Sequence, residues 1–205
     1  MTETPPPGLS ETTQATYERE AAAYDAQRGR SLFERGWLER TLRDVPRGGP
    51  VLDLGCGAGE PIGRYLSEQG FALTGADFAE PMLEIFRNRF PKAAAINADM
   101  RVLDLGQRFD AIIGWGSFFH LTMDEQRAAL PRIADHLNPG GRLLLTVGPG
   151  AGEALGHVNG APVYHASLSE EDYRAILCAA GCETESFAPN DPETHGHTLL
   201  LARRK

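Results

Sequence analysis

The chain has 205 residues, 41% of them hydrophobic, which fits one globular domain burying roughly 70% of the surface its unfolded chain exposes. Its 28 acidic residues outweigh 20 basic ones, for a formal charge of −8, so phosphate backbones and anionic lipid are repelled and neither nucleic acid nor membrane is an expected partner. Three cysteines at 56, 178 and 182, without a Cys-x-x-Cys pair, imply neither a disulfide framework nor a zinc site and fit a reducing cytoplasm; no apolar run suits a signal peptide or a membrane span.

Residues 1–9, rich in Thr, Glu, Pro and Gly, read as a disordered tail, with a single domain over 10–205. Residues 10–44 read as a helical segment ending before Pro46; Tyr17, Tyr24, Phe33 and Trp37 lie on it, the last two as packing residues. Then comes Val51-Leu52-Asp53-Leu54-Gly55-Cys56-Gly57-Ala58-Gly59-Glu60-Pro61, read as a strand, a tight turn and a helix start. Glycines let such a turn adopt φ values closed to other residues, so a ligand can lie against bare backbone facing unpaired N–H groups. A dinucleotide-binding turn needs a small residue at the sixth position, where this chain has Glu60, whose carboxylate repels a pyrophosphate. The pattern Asp53-x-Gly55-x-Gly57-x-Gly59 instead resembles the first motif of the class I S-adenosylmethionine (SAM) dependent methyltransferases.

That resemblance implies an α/β fold: a doubly wound, mostly parallel seven-stranded sheet with one antiparallel strand, Rossmann-like, holding SAM against Asp53, Gly55, Cys56, Gly57 and Gly59. The segment Tyr24-Asp25-x-x-Arg28 resembles the N-terminal lid of small-molecule methyltransferases. Tyr17 or Tyr24 is therefore expected to close over the cofactor, with plain packing as the alternative.

Ala58–Gln69 reads as a helix stopped by Gly70, and Phe71–Ala76 as the second strand. Asp77 follows at the strand end, where a parallel α/β unit places an acid for the two ribose hydroxyls, with Phe78 beside it; the alternative is a helix cap. After a helix over about 80–89 and a strand Ala93–Ile96, Asp99 and Met100 stand where the resembled family contacts the adenine amine and ring. Strand Phe109–Gly114 opens into Trp115-Gly116-Ser117-Phe118-Phe119-His120, without the Asp/Asn-Pro-Pro-aromatic pattern of base methylation. Thr122-x-x-Glu125 is a capping box opening a helix that Pro131 is expected to kink, and Leu137-Asn138-Pro139-Gly140-Gly141 resembles the family's turn before strand five, Arg142–Val147.

The glycine-rich stretch Gly148–Ala166 reads as a structureless lid loop, placing the acceptor under it with Tyr164 and His165 facing the methyl and Trp115 and Phe118 opposite. His165 is the first candidate for a general base and His120 the second. A helix from Ser167 or Ser169 to about 180 and strands Glu183–Ala188 and Thr198–Ala202, joined as a hairpin, complete the chain. The resemblance thus implies a methyltransferase acting on a small molecule, consuming SAM and releasing S-adenosylhomocysteine (SAH), without a metal. A nicotinamide-dependent oxidoreductase and a non-catalytic SAM-binding module remain alternatives, and acceptor atom and oligomeric state stay open.

Overall fold

The computed structural model describes residues 4–205. Short runs of Val, Leu, Ile and Ala alternate with amphipathic segments, the pattern of a parallel sheet whose crossovers put helices on both faces. In chain order the elements are α1 (Leu9–Gln27), α2 (Arg35–Leu42), β1 (Pro50–Leu54), α3 (Ile62–Glu68), β2 (Ala72–Asp77), α4 (Glu80–Arg89), β3 (Ala94–Asn97) and β4 (Phe109–Gly114). There follow α5 (Met123–Asp135), β5 (Leu137–Val147), β6 (Gly152–Val158), β7 (Ala161–Ser167), α6 (Glu170–Ala179), β8 (Cys182–Asp191) and β9 (His197–Arg204).

Seven strands form one sheet in the order β3-β2-β1-β4-β5-β9-β8, with β9 antiparallel to both its neighbours. Successive strand residues serve opposite faces. Leu52, Leu54, Ile112, Leu143 and Leu145 pack with residues of α5 and α6, while Val51, Ile113 and Leu144 pack with Leu38 of α2, Leu66 of α3 and Phe86 of α4. The strand order reverses beside β1, whose neighbours are β2 and β4, and this opens a crevice at the carboxyl ends of the strands.

Several boundaries differ from the sequence reading. Of the expected tail, residues 1–3 lie outside the described residues, Pro5 is buried and α1 already begins at Leu9. The helical segment over 10–44 is two helices, broken at residues 28–34 around Gly29. The helix expected from Ala58 starts at Ile62, because Gly59 at φ +80° holds the preceding residues in the turn. Helix α5 runs through Pro131 without interruption, and the turn at 138–141 lies inside β5 as an irregularity where the pairing skips from Phe109–Leu137 to Ala111–Arg142.

The largest correction concerns Gly148–Ala166, which is not a structureless loop. Strands β6 and β7 form an antiparallel hairpin that turns at Asn159 and Gly160, both at positive φ. The Asn-Gly pair between extended residues is a strong hairpin signal, hidden here by the glycines around it. Among the described residues no helix is long and apolar enough to cross a membrane.

One packing point has a measurable consequence. Gly75 in β2 sits where a Cβ would lie 2.6 Å from the Phe86 ring and 2.8 Å from Cys56 Sγ. Gly75→Ala is expected to destabilise the fold by about 1–3 kcal/mol through overpacking, read as a lower urea midpoint at unchanged slope.

Candidate functional site

The site grows out of the turn after β1. Gly55, Gly57 and Gly59 have φ of +71°, +51° and +80°, values open to glycine and strained for other residues. Two of them also lack room: a Cβ on Gly55 would meet Ser117 Cβ at 2.2 Å, and one on Gly59 would meet Phe90 at 2.4 Å. The turn therefore lies flat against its neighbours and bares its backbone to the crevice.

Asp77, at the end of β2, closes on this turn. Its carboxylate accepts the Gly57 N–H and the Ala79 N–H, each at 2.8 Å, so it fastens the glycine turn and also supports the entry to α4. The ribose and capping roles weighed from sequence are thus compatible in one side chain. Asp53, at the end of β1, is buried beside it and lines the same cavity. Burial, and secondarily the nearby Asp77 charge, push the Asp53 pKa up to about 7. Two carboxylates held close in a poorly solvated place favour a cationic ligand.

Helix α1 covers the crevice. Tyr17 and Tyr24 meet edge to face at 5.6 Å and both line the cavity with Asp53, Gly55, Cys56, Gly57, Gly59, Asp77, Phe78 and Trp115. Arg89 of α4 fastens this cover: its guanidinium holds both Asp25 oxygens at 2.9 and 2.8 Å and donates to the Ala58 carbonyl at 2.7 Å. An adjoining cavity shares Phe78, Ser117 and His120 and is lined further by Asp99 and Met100. Asp99 there is paired with Arg101, which holds its carboxyl below the usual range against the opposing effect of burial.

His120 lies between these two cavities, buried, with both ring nitrogens engaged. Nδ1 faces the Tyr164 carbonyl at 3.0 Å, and because a carbonyl only accepts, Nδ1 carries the proton. Nε2 is then a bare acceptor and receives the Tyr17 hydroxyl at 2.9 Å. Burial pushes the His120 pKa down to about 4, so the ring is neutral near pH 7; burial also raises that of the Tyr17 hydroxyl, which stays protonated.

The acceptor wall differs from expectation. Phe118 is fully buried in the core beneath α5, and Tyr164 turns its hydroxyl to Glu153 at 2.7 Å instead of the cavity under α1. His165 packs at a tilt against Phe119 and stands 5.0 Å from His120, ring centre to ring centre, lining a separate cavity of about 500 Å³ with Phe119, Glu153 and His197. Its pKa too is pushed down to about 4, chiefly by burial. Of the two histidines, His120 lines the cavity with the glycine turn and His165 does not.

Sequence reasoning gave no site role to Arg28, Asp25, Glu60 or Ser117, all of which line the cavity. Arg28 was visible within the lid motif; nothing local marks Ser117, whose hydroxyl donates to the Leu54 carbonyl across 63 residues.

Comparison with known proteins agrees with this geometry. Residues 51–141 match the methyltransferase domain family. The dTDP-3-amino-3,4,6-trideoxy-alpha-D-glucopyranose N,N-dimethyltransferase of Streptomyces venezuelae is 36% identical over 99 residues, which are 47% of this chain and 41% of that protein. A probable tRNA methyltransferase 9B of Mus musculus is 35% identical over 121 residues, 57% of this chain and 26% of that one. The chain thus spans less than two thirds of either relative. The fold matches SAM-bound CalS10, an amino pentose methyltransferase of Micromonospora echinaspora involved in calicheamicin biosynthesis, with a TM-score of 0.71, covering 91% of this chain and 96% of that one at 24% identity.

The buried Asp53 makes stability depend on pH. Its folded pKa lies above the unfolded value, so the folded state holds a proton that the unfolded chain has lost between about pH 4 and 7. This contribution is complete below the unfolded pKa and disappears as pH rises toward 7. Asp53→Asn is expected to remove that slope: urea midpoints of wild type should fall relative to the variant on going from acid to neutral pH.

Proposed function

We propose that this chain, whose sheet has the class I SAM-dependent methyltransferase fold and whose residues 51–141 match the methyltransferase domain family, binds SAM in the crevice above β1, β2 and β4 and methylates a small molecule. The observation that carries the reading is the glycine turn with two buried carboxylates converging on one cavity, one of them without a hydrogen bond to its side chain among the described residues. Such a site suits a ligand with positive charge at one end and hydroxyls at the other. Asp77 would hold the ribose, Phe78, Asp99 and Met100 the adenine, and Asp53 the cationic amino-acid end, with Arg28 opposite its carboxylate.

When bound, SAM supplies a methyl already activated by its sulfonium, so the chain's own work is to bind, orient and exclude water. Tyr17 and Tyr24 cover the crevice, and Trp115 closes its far side. His120 Nε2 can take a hydrogen bond from an acceptor N–H or O–H once Tyr17 yields it, and Nδ1–H on the Tyr164 carbonyl keeps the ring oriented for that. The neighbouring cavity under the β6–β7 hairpin gives an acceptor room beside the His120–His165 pair. The amino-sugar relative favours nitrogen on a sugar-like molecule as acceptor, and the charge of −8 weighs against the tRNA substrate of the mouse relative's name.

Calorimetry with SAH should show saturable binding and NAD none; the reverse result defeats the reading. Asp77→Asn is expected to weaken SAH binding about 10- to 100-fold, and also to lower the melting temperature because the same carboxylate ties Gly57 and Ala79. His120→Ala is expected to leave SAH affinity nearly unchanged and reduce methyl transfer from labelled SAM by about 10²- to 10⁴-fold; unaltered turnover removes His120 from the chemistry.

A further inference from the structure

Glu34 closes the segment between α1 and α2, its carbonyl receiving the N–H groups of Trp37 and Leu38 at 3.0 and 3.1 Å. Its side chain is completely buried. Among the described residues one carboxylate oxygen, Oε2, has no hydrogen-bond partner, and the other faces Arg28 Nη2 at 3.5 Å. Burial raises its pKa, against the opposing effects of its own backbone N–H and the Arg28 charge. For packing alone a carboxylate is a poor choice here, since an apolar side chain of similar size leaves no orphaned oxygen.

Nor is Glu34 needed to hold the segment down. Phe33 already packs against His195, His197 and Trp115, with ring centres 4.5, 6.0 and 6.0 Å away, and the Trp37 indole donates to Asp191 at 3.0 Å. What Glu34 touches is Arg28, the one lysine or arginine among the residues lining the SAM-sized crevice, where Asp25, Asp53, Glu60 and Asp77 supply four acids. Asp25 and Glu60 are neutralised by Arg89 and Arg64. Apart from Glu34, the Arg28 guanidinium makes no hydrogen bond to the described residues, so most of its donors remain for a ligand.

We infer that Glu34 is a positioning residue: from behind, it holds the Arg28 guanidinium at the cavity wall so that the planar fork can receive the carboxylate at the amino-acid end of the cofactor. The inference rests on the cofactor reading above. Without Glu34 the flexible arginine loses its anchor and is drawn toward solvent or toward the acids across the cavity. The ligand then keeps its adenine and ribose contacts but loses recognition of its carboxylate.

The test compares two ligands that differ only in that group: SAH, and its decarboxylated counterpart 5′-deoxy-5′-(3-aminopropylthio)adenosine. Calorimetric Kd values are measured for wild type, Glu34→Gln, Glu34→Asp and Arg28→Ala. Wild type is expected to prefer SAH, and Glu34→Gln to shrink that preference about tenfold while the decarboxylated ligand binds within about twofold of wild type. Arg28→Ala should abolish the preference, and Glu34→Asp should retain part of it. Equal weakening of both ligands by Glu34→Gln, or an unchanged preference, overturns the inference, as does an Arg28→Ala protein that still discriminates. Should Glu34→Gln not fold, Glu34→Asp and Arg28→Ala carry the same ratio. Wild type that binds neither compound defeats the cofactor reading itself, whereas wild type that binds both equally defeats only the carboxylate role.

Discussion

The Asp77 carboxylate is the constraint around which the crevice is built. By accepting the N–H groups of Gly57 and Ala79 it ties the turn after β1 to the turn after β2, two loops that a parallel sheet places side by side. The glycines make this approach possible, because a Cβ on Gly55 or Gly59 collides with Ser117 or Phe90. Their backbone freedom costs stability in a loop, and packing from Phe86 and Met82 beneath the turn offsets it.

The same close approach has an electrostatic cost. Asp53 stands so near Asp77, and so far from water, that its pKa climbs toward neutrality. A polypeptide tolerates such a pair where a ligand completes the charge balance, which is why unpaired buried carboxylates gather at binding sites more than in structural cores. Around them the remaining acids are matched: Asp25 with Arg89, Glu60 with Arg64 and Arg89, Asp99 with Arg101.

The cover of the crevice and its chemistry are joined by one chain of hydrogen bonds. Tyr17 on α1 donates to His120, and His120 donates to the Tyr164 carbonyl on β7, so the lid helix, the turn after β4 and the outer hairpin meet at one imidazole. Movement of α1 changes what His120 can accept.

Much of this was legible in the sequence, because the rules involved are local. Alternation of apolar strands and amphipathic helices carries the α/β class, and the Gly-x-Gly-x-Gly spacing after Asp53 marks a strand-to-helix turn that needs positive φ. Asp77 closes β2 and Asp99 and Met100 follow β3, so the parallel sheet puts all three at its carboxyl edge, Asp77 in the main cavity and the other two in the adjoining one, whereas Tyr17 and Tyr24 reach the main cavity from α1. Where local rules competed, the reading failed: the Asn159-Gly160 turn was lost among glycines, and Gly29 did not register as the break between α1 and α2. Only the tertiary structure decided that Phe118 faces the core while His120 faces the cavity, since the short 3₁₀ turn at Phe118–His120 follows no helical or strand period. It alone also decided that His165 stands behind His120, that Arg28 reaches the crevice and that Glu34 is buried against it. Those relations depend on the packing of segments far apart in the chain, and no residue spacing encodes such contacts.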